Sequence, residues 1–347
     1  MEAVRAGELE EFAAAVLAGD GEGGLPPITP QRARAQARNP VADPEDIVLF
    51  AAYSGKRLVG YLGALPGWLR RGASLSKVNW GSTWYLHPDY RKTAAGLLMG
   101  RNFKRRLPDI VFTDLSPEAW KLIHYLGASE LGSCRYYRLR LKRFPGRLKG
   151  LVCRILLPAP PAGVAVRETD RVREEAHPVI RQGAPPAEFY RGPRVVNWIL
   201  EYPWVVETGR PGTDKLDYLF THRRKLFRIT ANEVFGPGGE YRGYFVVSFS
   251  STGRERTMKI LDYDFLHPED RSLVLPLALE CALRARADIV NIPGELIPSA
   301  GRASLLRRLA RPHDRPYLYY PWTGDSPLAK AAGEVRLNYC DGDTAFT

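Results

Sequence analysis

Two stretches of this chain are written on the same frame, and that repetition bounds the fold more tightly than any other feature of the sequence. An extended run ends in His87-Pro88, a helical run follows, and Asp109-Ile110-Val111 begins a short apolar strand. The order recurs as His267-Pro268, a helical run and Asp288-Ile289-Val290. His87 and His267 lie 180 residues apart, and Ile110 and Ile289 lie 179 apart. Landmarks that keep their order and agree to within one residue indicate an internal duplication. A chain of 347 residues is in any case too long for one small core. Two copies of one α/β unit are therefore expected.

The first copy reads as follows. Leu9, Phe12, Ala13, Val16 and Leu17 recur at helical spacing within residues 6–18, and the Gly/Pro-rich segment 19–30 ends that helix. A second, basic helix is predicted over 30–38. Residues 47–53 and 57–62 form a hairpin across Ser54-Gly55-Lys56. A strand over 76–86 runs into the His-Pro turn, a helix covers 94–106, and 109–114 is a buried strand. Ser116 and Pro117 open a further helix as N-cap and first residue. A strand from Tyr136 to Leu141 is expected to close this unit. In the second copy, 225–230 and 242–249 pair as a hairpin, a strand runs from Met258 to Leu266, and a helix covers 272–286.

The predicted division is 1–145 for the first unit, 146–163 for a connecting segment and 164–347 for the second. Leu148, Leu151, Val152, Ile155 and Leu156 make an apolar stripe beside Arg147, Lys149 and Arg154, ended by Pro158-Ala159-Pro160-Pro161. Such a stripe packs on a sheet between the units, or gives peripheral contact with an anionic membrane through 146–157.

The chemistry concentrates at Trp84-Tyr85-Leu86-His87-Pro88-Asp89-Tyr90-Arg91-Lys92-Thr93-Ala94-Ala95-Gly96. A strand end, a proline turn and a small-residue loop open a basic helix there. That order aims free backbone N–H groups and the positive end of a helix dipole at one point, which suits phosphate. The second copy has Arg271-Ser272-Leu273-Val274 instead, whose bulk blocks a close approach, so only the first copy is expected to bind this way.

These residues resemble the core of the GNAT acyltransferase superfamily, whose signature Q/R-x-x-G-x-G/A opens a helix after such a strand. Arg91 takes its first position, Ala94 the middle glycine and Gly96 the last; an alanine there requires a negative φ. The resemblance implies two tandem GNAT-like domains of the α/β (α+β) class, each a mixed, mostly antiparallel sheet flanked by helices. It further implies acetyl-CoA or another acyl-CoA held by Trp84, Tyr85, Leu86, Arg91, Lys92, Thr93, Ala94, Ala95, Gly96 and Ser116. The family's general-acid tyrosine follows A-x-x-L, but Ile123 follows Ala119-Trp120-Lys121-Leu122 here. No glutamate precedes His87 on its strand, so Asp114 and Tyr85 remain as catalytic candidates. Asp262 with Asp264, or Asp341 with Asp343, could hold an acceptor ammonium, whereas Trp198, Tyr202 and Trp204 read as core or as a sugar-stacking wall.

The implied activity is acyl transfer to a small polar amine, an amino sugar of a polysaccharide precursor being the specific expectation. Two other readings stay open: an aminoacyl-tRNA-dependent Fem-like transferase, and an inactive acyl-CoA-binding protein. The +12 charge favours anionic partners without choosing one, and basic residues interleave with acids along the chain. Nucleic acid other than tRNA is therefore not expected. Four scattered cysteines without C-x-x-C spacing argue against a disulfide framework and a zinc site, and no metal is expected. With no signal-like N-terminus and no long apolar run, the expected location is the cytoplasm.

Overall fold

The computed structural model describes residues 1–18, 25–144, 162–174, 186–208 and 218–343. The stripe at 146–157 and most of the connecting segment therefore lie outside the described residues. No helix among the described residues is long and apolar enough to cross a membrane.

The first half runs β1 (Glu2–Arg5), α1 (Leu9–Ala18), α2 (Pro30–Ala37), β2 (Ile47–Ser54), β3 (Arg57–Arg71), β4 (Ser74–Leu86), α3 (Ala95–Arg106), β5 (Ile110–Thr113), α4 (Pro117–Tyr125) and β6 (Ser129–Arg140). The second runs β7 (Ala165–Thr169), β8 (Ala187–Tyr190), α5 (Pro193–Glu201), β9 (Val206–Glu207), β10 (Arg223–Arg224), β11 (Leu226–Phe235), β12 (Tyr241–Ser251), β13 (Arg256–Phe265), α6 (Val274–Arg284), β14 (Ile289–Pro293), α7 (Leu306–Leu309), β15 (Arg311–Tyr320), α8 (Pro327–Ala331) and β16 (Val335–Arg336). Local chemistry sets these boundaries. Thr29 caps α2 and Ser116 caps α4, each hydroxyl accepting an amide hydrogen three residues on, with proline next in both. Gly55, at φ +60°, turns β2 into β3.

Among the described residues, fourteen strands join one sheet, whose main path is β1-β2-β3-β4-β5-β15-β6-β14-β13-β12-β11-β7. The middle of this path alternates between halves. β15 of the second half pairs with β5, and β6 of the first half pairs with β14. β15 and β6 also pair with each other. Each half thus lends its last long strand to the other. The strand expected to close the first unit does become a strand, but its ladder partners both belong to the second half.

One face of the sheet carries α3 and α4 over Phe50, Leu62, Phe103, Phe112 and Leu318. That face continues into the second half as α6 over Phe245, Met258, Ile260, Val290 and Ile292. The opposite face carries α1 and α2 over Leu49, Tyr61 and Tyr85. It continues through a core shared by both halves around Trp80, Phe189, Trp198, Tyr244 and Tyr317. Trp198 donates its indole N–H to the Ala35 carbonyl at 2.7 Å, and Trp204 is 2% exposed, so both are core residues rather than an open stacking wall.

The duplication is visible in two matched irregularities. β4 pairs in parallel with β5 only at Asn79–Ile110 and Trp80–Val111, and β13 pairs in parallel with β14 only over Thr257–Lys259. Beyond those points each pair of strands separates. Each departing strand also carries a bulge, between the Tyr61 and Gly63 partners of β4 and between the Val246 and Val247 partners of β13. In β4 the bulge holds Thr83 at φ +49°.

Candidate functional site

Where β4 leaves β5, a cavity of about 430 Å³ opens. Its walls come from both faces of the sheet. Trp84, Phe112, Leu115, Ser116 and Ala119 stand on the side of α3 and α4, whereas Arg32, Ser82, Arg224, Lys259 and Asp343 stand on the other. The opening therefore passes through the sheet. Lys259 belongs to β13, five ladder steps from β4, a distance of about 24 Å in a flat sheet. Sharing one cavity requires the sheet to curl so that the two halves face each other across the gap.

The turn and loop sit at the end of β4 on the α3 side. His87 Nδ1 accepts the Asp89 amide at 3.3 Å and its Nε2 lies 2.9 Å from the Arg57 guanidinium, which makes His87 a turn residue. Ala94 has φ −70° and ψ −2°, the negative φ that a side chain at this position demands. The Thr93 hydroxyl accepts the Ala95 amide at 3.2 Å, and the Ala94 carbonyl accepts the Leu98 amide at 2.9 Å. The amides of Gly96 and Leu97, in the first turn of α3, have no carbonyl behind them within the helix and point out of its end. A Cβ on Gly96 would lie 3.4 Å from Leu122 and 3.5 Å from Leu86, so little room is left between loop, strand and α4. Arg91 folds back, its Nε donating to the Leu86 carbonyl at 3.0 Å. Since the His87 amide bonds to Val59 of β3, the Leu86 peptide edge faces away from β3, toward the gap.

Of the two catalytic candidates, Asp114 lines the cavity, at the end of β5 with φ +52°. Arg315 of β15, whose side chain is only 2% exposed, lies 2.8 Å from its carboxylate, while the Asp114 side chain is 61% exposed. Tyr85 points to the opposite face, 8% exposed and packed 5.1 Å from the ring of Tyr61, and is not part of the cavity wall. Ser116 and Trp84 are on the wall together with Asp114.

Asp341 and Asp343 part company, whereas Asp262 and Asp264 share one cavity wall. Asp343 lines the cavity, accepting the Ser82 hydroxyl at 2.8 Å, with Arg32 at 3.8 Å. Arg32 in turn lies flat over Trp204 at 3.7 Å. Asp341 is fully buried beneath the second gap, where Arg191 bridges it and Asp262 at 2.7 Å each. Burial pushes the Asp341 carboxyl up to about 6, against the pull of Arg191. That second gap is a cavity of about 150 Å³ whose wall includes Asp262, Asp264 and Arg191. The helix beyond it begins differently, with a 3-10 turn over Pro268–Leu273 that feeds directly into α6.

Arg32, Arg224 and Lys259 join the cavity wall without a sequence signal. They come from elements far apart in the chain, and no local pattern marks them. Among the described residues, no group of three or more His, Cys, Asp or Glu could hold a metal ion.

No protein-family model matches the chain, and no curated protein matches it in sequence. Solved structures do match. A GCN5-related N-acetyltransferase from Anabaena variabilis aligns over 91% of this chain and 69% of its own, at TM-score 0.52 and 13% identity. A tandem GNAT protein from the clavulanic acid biosynthesis pathway aligns over 92% and 95%, at TM-score 0.50 and 16% identity. The N-myristoyltransferase of Saccharomyces cerevisiae, solved with bound myristoyl-CoA and inhibitors, aligns over 92% and 79%, at TM-score 0.51 and 12% identity. At such identities the likeness is one of fold. The fold is the one these GNAT structures have, the tandem GNAT protein included.

Proposed function

We propose that this protein is an acyl-CoA-dependent N-acyltransferase acting on a small polar amine, with amino sugars among the acceptors its polar cavity suits. One observation carries the reading: the cavity runs through the sheet where β4 parts from β5, beside a helix N-terminus at the end of the same strand. Transfer from a thioester to an amine requires two reactants to meet in line, and an opening with two mouths lets each enter by its own side.

The donor belongs on the α3 side. Amides of the loop 92–97 would hold its pyrophosphate, aided by the helix dipole, and the small residues Ala94, Ala95 and Gly96 permit close approach. Arg91 and Lys92 add positive charge there. Ser116 and Trp84 stand on the wall along which the pantetheine arm would lie. The bound thioester supplies the activated acyl carbon and a thiol leaving group. The Leu86 amide, on the edge turned toward the gap, is placed to donate to the developing oxyanion. Asp114, on the cavity wall, is the group we assign to receive the proton from the acceptor nitrogen as the amide C–N bond forms; the C–S bond breaks to release the CoA thiolate, which takes its proton from Asp114 or from solvent.

Calorimetry tests the donor half directly. Acetyl-CoA should bind the wild-type protein, and Gly96→Glu should weaken it roughly 100-fold or more, because a glutamate side chain directed between Leu86 and Leu122 displaces the loop and brings negative charge close to the helix end. Equal binding by the two proteins would sink the assignment. A transfer assay over a panel of amines then separates an enzyme from an acyl-CoA-binding protein that lacks turnover.

A further inference from the structure

Where β15 and β6 run side by side away from the cavity, two cations face each other. Arg311 pairs directly with Arg138 across the ladder, and His313 follows on the same face, opposite Tyr136. Like charges placed opposite each other in antiparallel strands are destabilising, yet among the described residues neither arginine forms an ion pair. Two nearby carboxylates are engaged elsewhere, Asp314 by Arg135 on the other face of the sheet and Glu255 by Lys142. We infer that Arg138, Arg311 and His313 form a phosphate-binding site on the surface where the two halves exchange strands. Such a site lies beyond the acyl-transfer reading and does not depend on it.

Buried groups hold the cluster in place. The Asn291 side chain, 3% exposed, donates to the Tyr339 hydroxyl at 3.0 Å and accepts from Arg138 Nε at 3.4 Å. That contact anchors the Arg138 guanidinium by its Nε and leaves both Nη groups without a partner among the described residues. His313 stacks on Tyr136, with ring centres 5.1 Å apart and planes at 14°, and Tyr136 packs 4.4 Å from Tyr339. Nε2 of His313 is buried and has no hydrogen-bond partner among the described residues. A phosphate seated between the guanidiniums would offset their repulsion and accept hydrogen bonds from both, with the unpartnered imidazole beside it.

The charge of both arginines reaches one spot. Burial lowers the pKa of His313, Arg138 and Arg311 lower it further, and Asp314 opposes them. Two fixed positive charges are matched by one doubly charged group, which favours phosphate over a carboxylate. The cluster stands apart from the cavity beside β4. Neither arginine is on its wall, and Arg311 precedes Arg315 by four residues, about 13 Å along an extended strand.

Calorimetry on the full chain tests the site, with inorganic phosphate and glycerol phosphate as probes and ionic strength held constant with sodium chloride. Wild type should bind one phosphate that Arg138→Met and Arg311→Met each weaken about 10-fold or more. Phosphate taken up at the loop 92–97 would be common to all three proteins and cancels from the comparison. Arg138→Lys should recover only part of the loss, because an ammonium keeps the charge but not the fork of donors. Arg135→Met, on the other face, should bind like wild type. Tighter binding of glycerol phosphate marks a phosphorylated small molecule as the ligand, and tighter binding of inorganic phosphate marks the free ion. No saturable binding by wild type, unchanged binding in both arginine variants, or an equal loss in Arg135→Met overturns the site. Far-UV circular dichroism identifies a variant that fails to fold; Arg311, exposed on the strand, then decides alone.

Discussion

Gly81 is the residue on which the gap turns. It is the first residue of β4 beyond the parallel pairing with β5, and a Cβ there would lie 2.2 Å from Cε1 and 2.3 Å from Cδ1 of Phe112. The Phe112 ring, 1% exposed, fills the space beside the backbone and lines the cavity. Gly81→Ala should therefore destabilise the protein by about 1–3 kcal/mol in denaturant unfolding, as overpacking does. Adding Phe112→Leu should recover part of that loss, a coupling that only contacting residues show. Strictly additive effects would mean that the ring does not hold this place. Single residues were also where sequence reading reached its limit. Ala94, Gly96 and Ser116 could be read because each answers to a local backbone demand. Tyr85 could not be oriented, since the bulge at Thr83 breaks the simple alternation of side chains along β4.

At the scale of elements, β15 holds the site together and is the element hardest to foresee. Its sequence, Arg311-Pro312-His313-Asp314-Arg315-Pro316-Tyr317-Leu318-Tyr319-Tyr320, contains two prolines, which argue against a central strand. The register explains how they are tolerated. Residues 311–316 pair with β6 alone, Tyr317–Tyr319 pair with both β6 and β5, and Tyr320 pairs with β5. Pro312 and Pro316 thus fall where one edge of the strand is open, and the missing amide need not break a ladder on that edge. Tyr317–Tyr319, flanked on both sides, contain no proline. Leu318→Pro should accordingly cost about 3 kcal/mol or more, while Pro316→Ala should change stability by less than about 1 kcal/mol. Thermal unfolding of the two variants checks this, and similar midpoints would contradict the register. The same strand brings Arg315 to Asp114, so its placement fixes the charge at the cavity wall.

At the scale of the whole molecule, the exchange of β6 and β15 makes the halves interdependent. Residues 1–144 alone would lack the strand between β5 and β6 and would expose β6 along both edges. The intact chain should unfold in one transition, coincident by far-UV circular dichroism and tryptophan fluorescence, whereas the fragment 1–144 should show no cooperative unfolding. A cooperative transition in the fragment would show that the first half is a self-sufficient domain. The amino-acid sequence by itself determined the repeated strand, His-Pro turn, helix and strand of the two halves, and which of the two has small residues at the start of that helix. Those features are local, written in periodicity, capping residues and turn chemistry within a few residues of one another. Only the tertiary structure decided that each half completes the other's sheet, that the sheet curls, and that Lys259 and Arg224 of the second half face the gap of the first. Those relations join residues more than a hundred positions apart, and strand partnership at that range is set by packing across the whole sheet rather than by any short run of the chain.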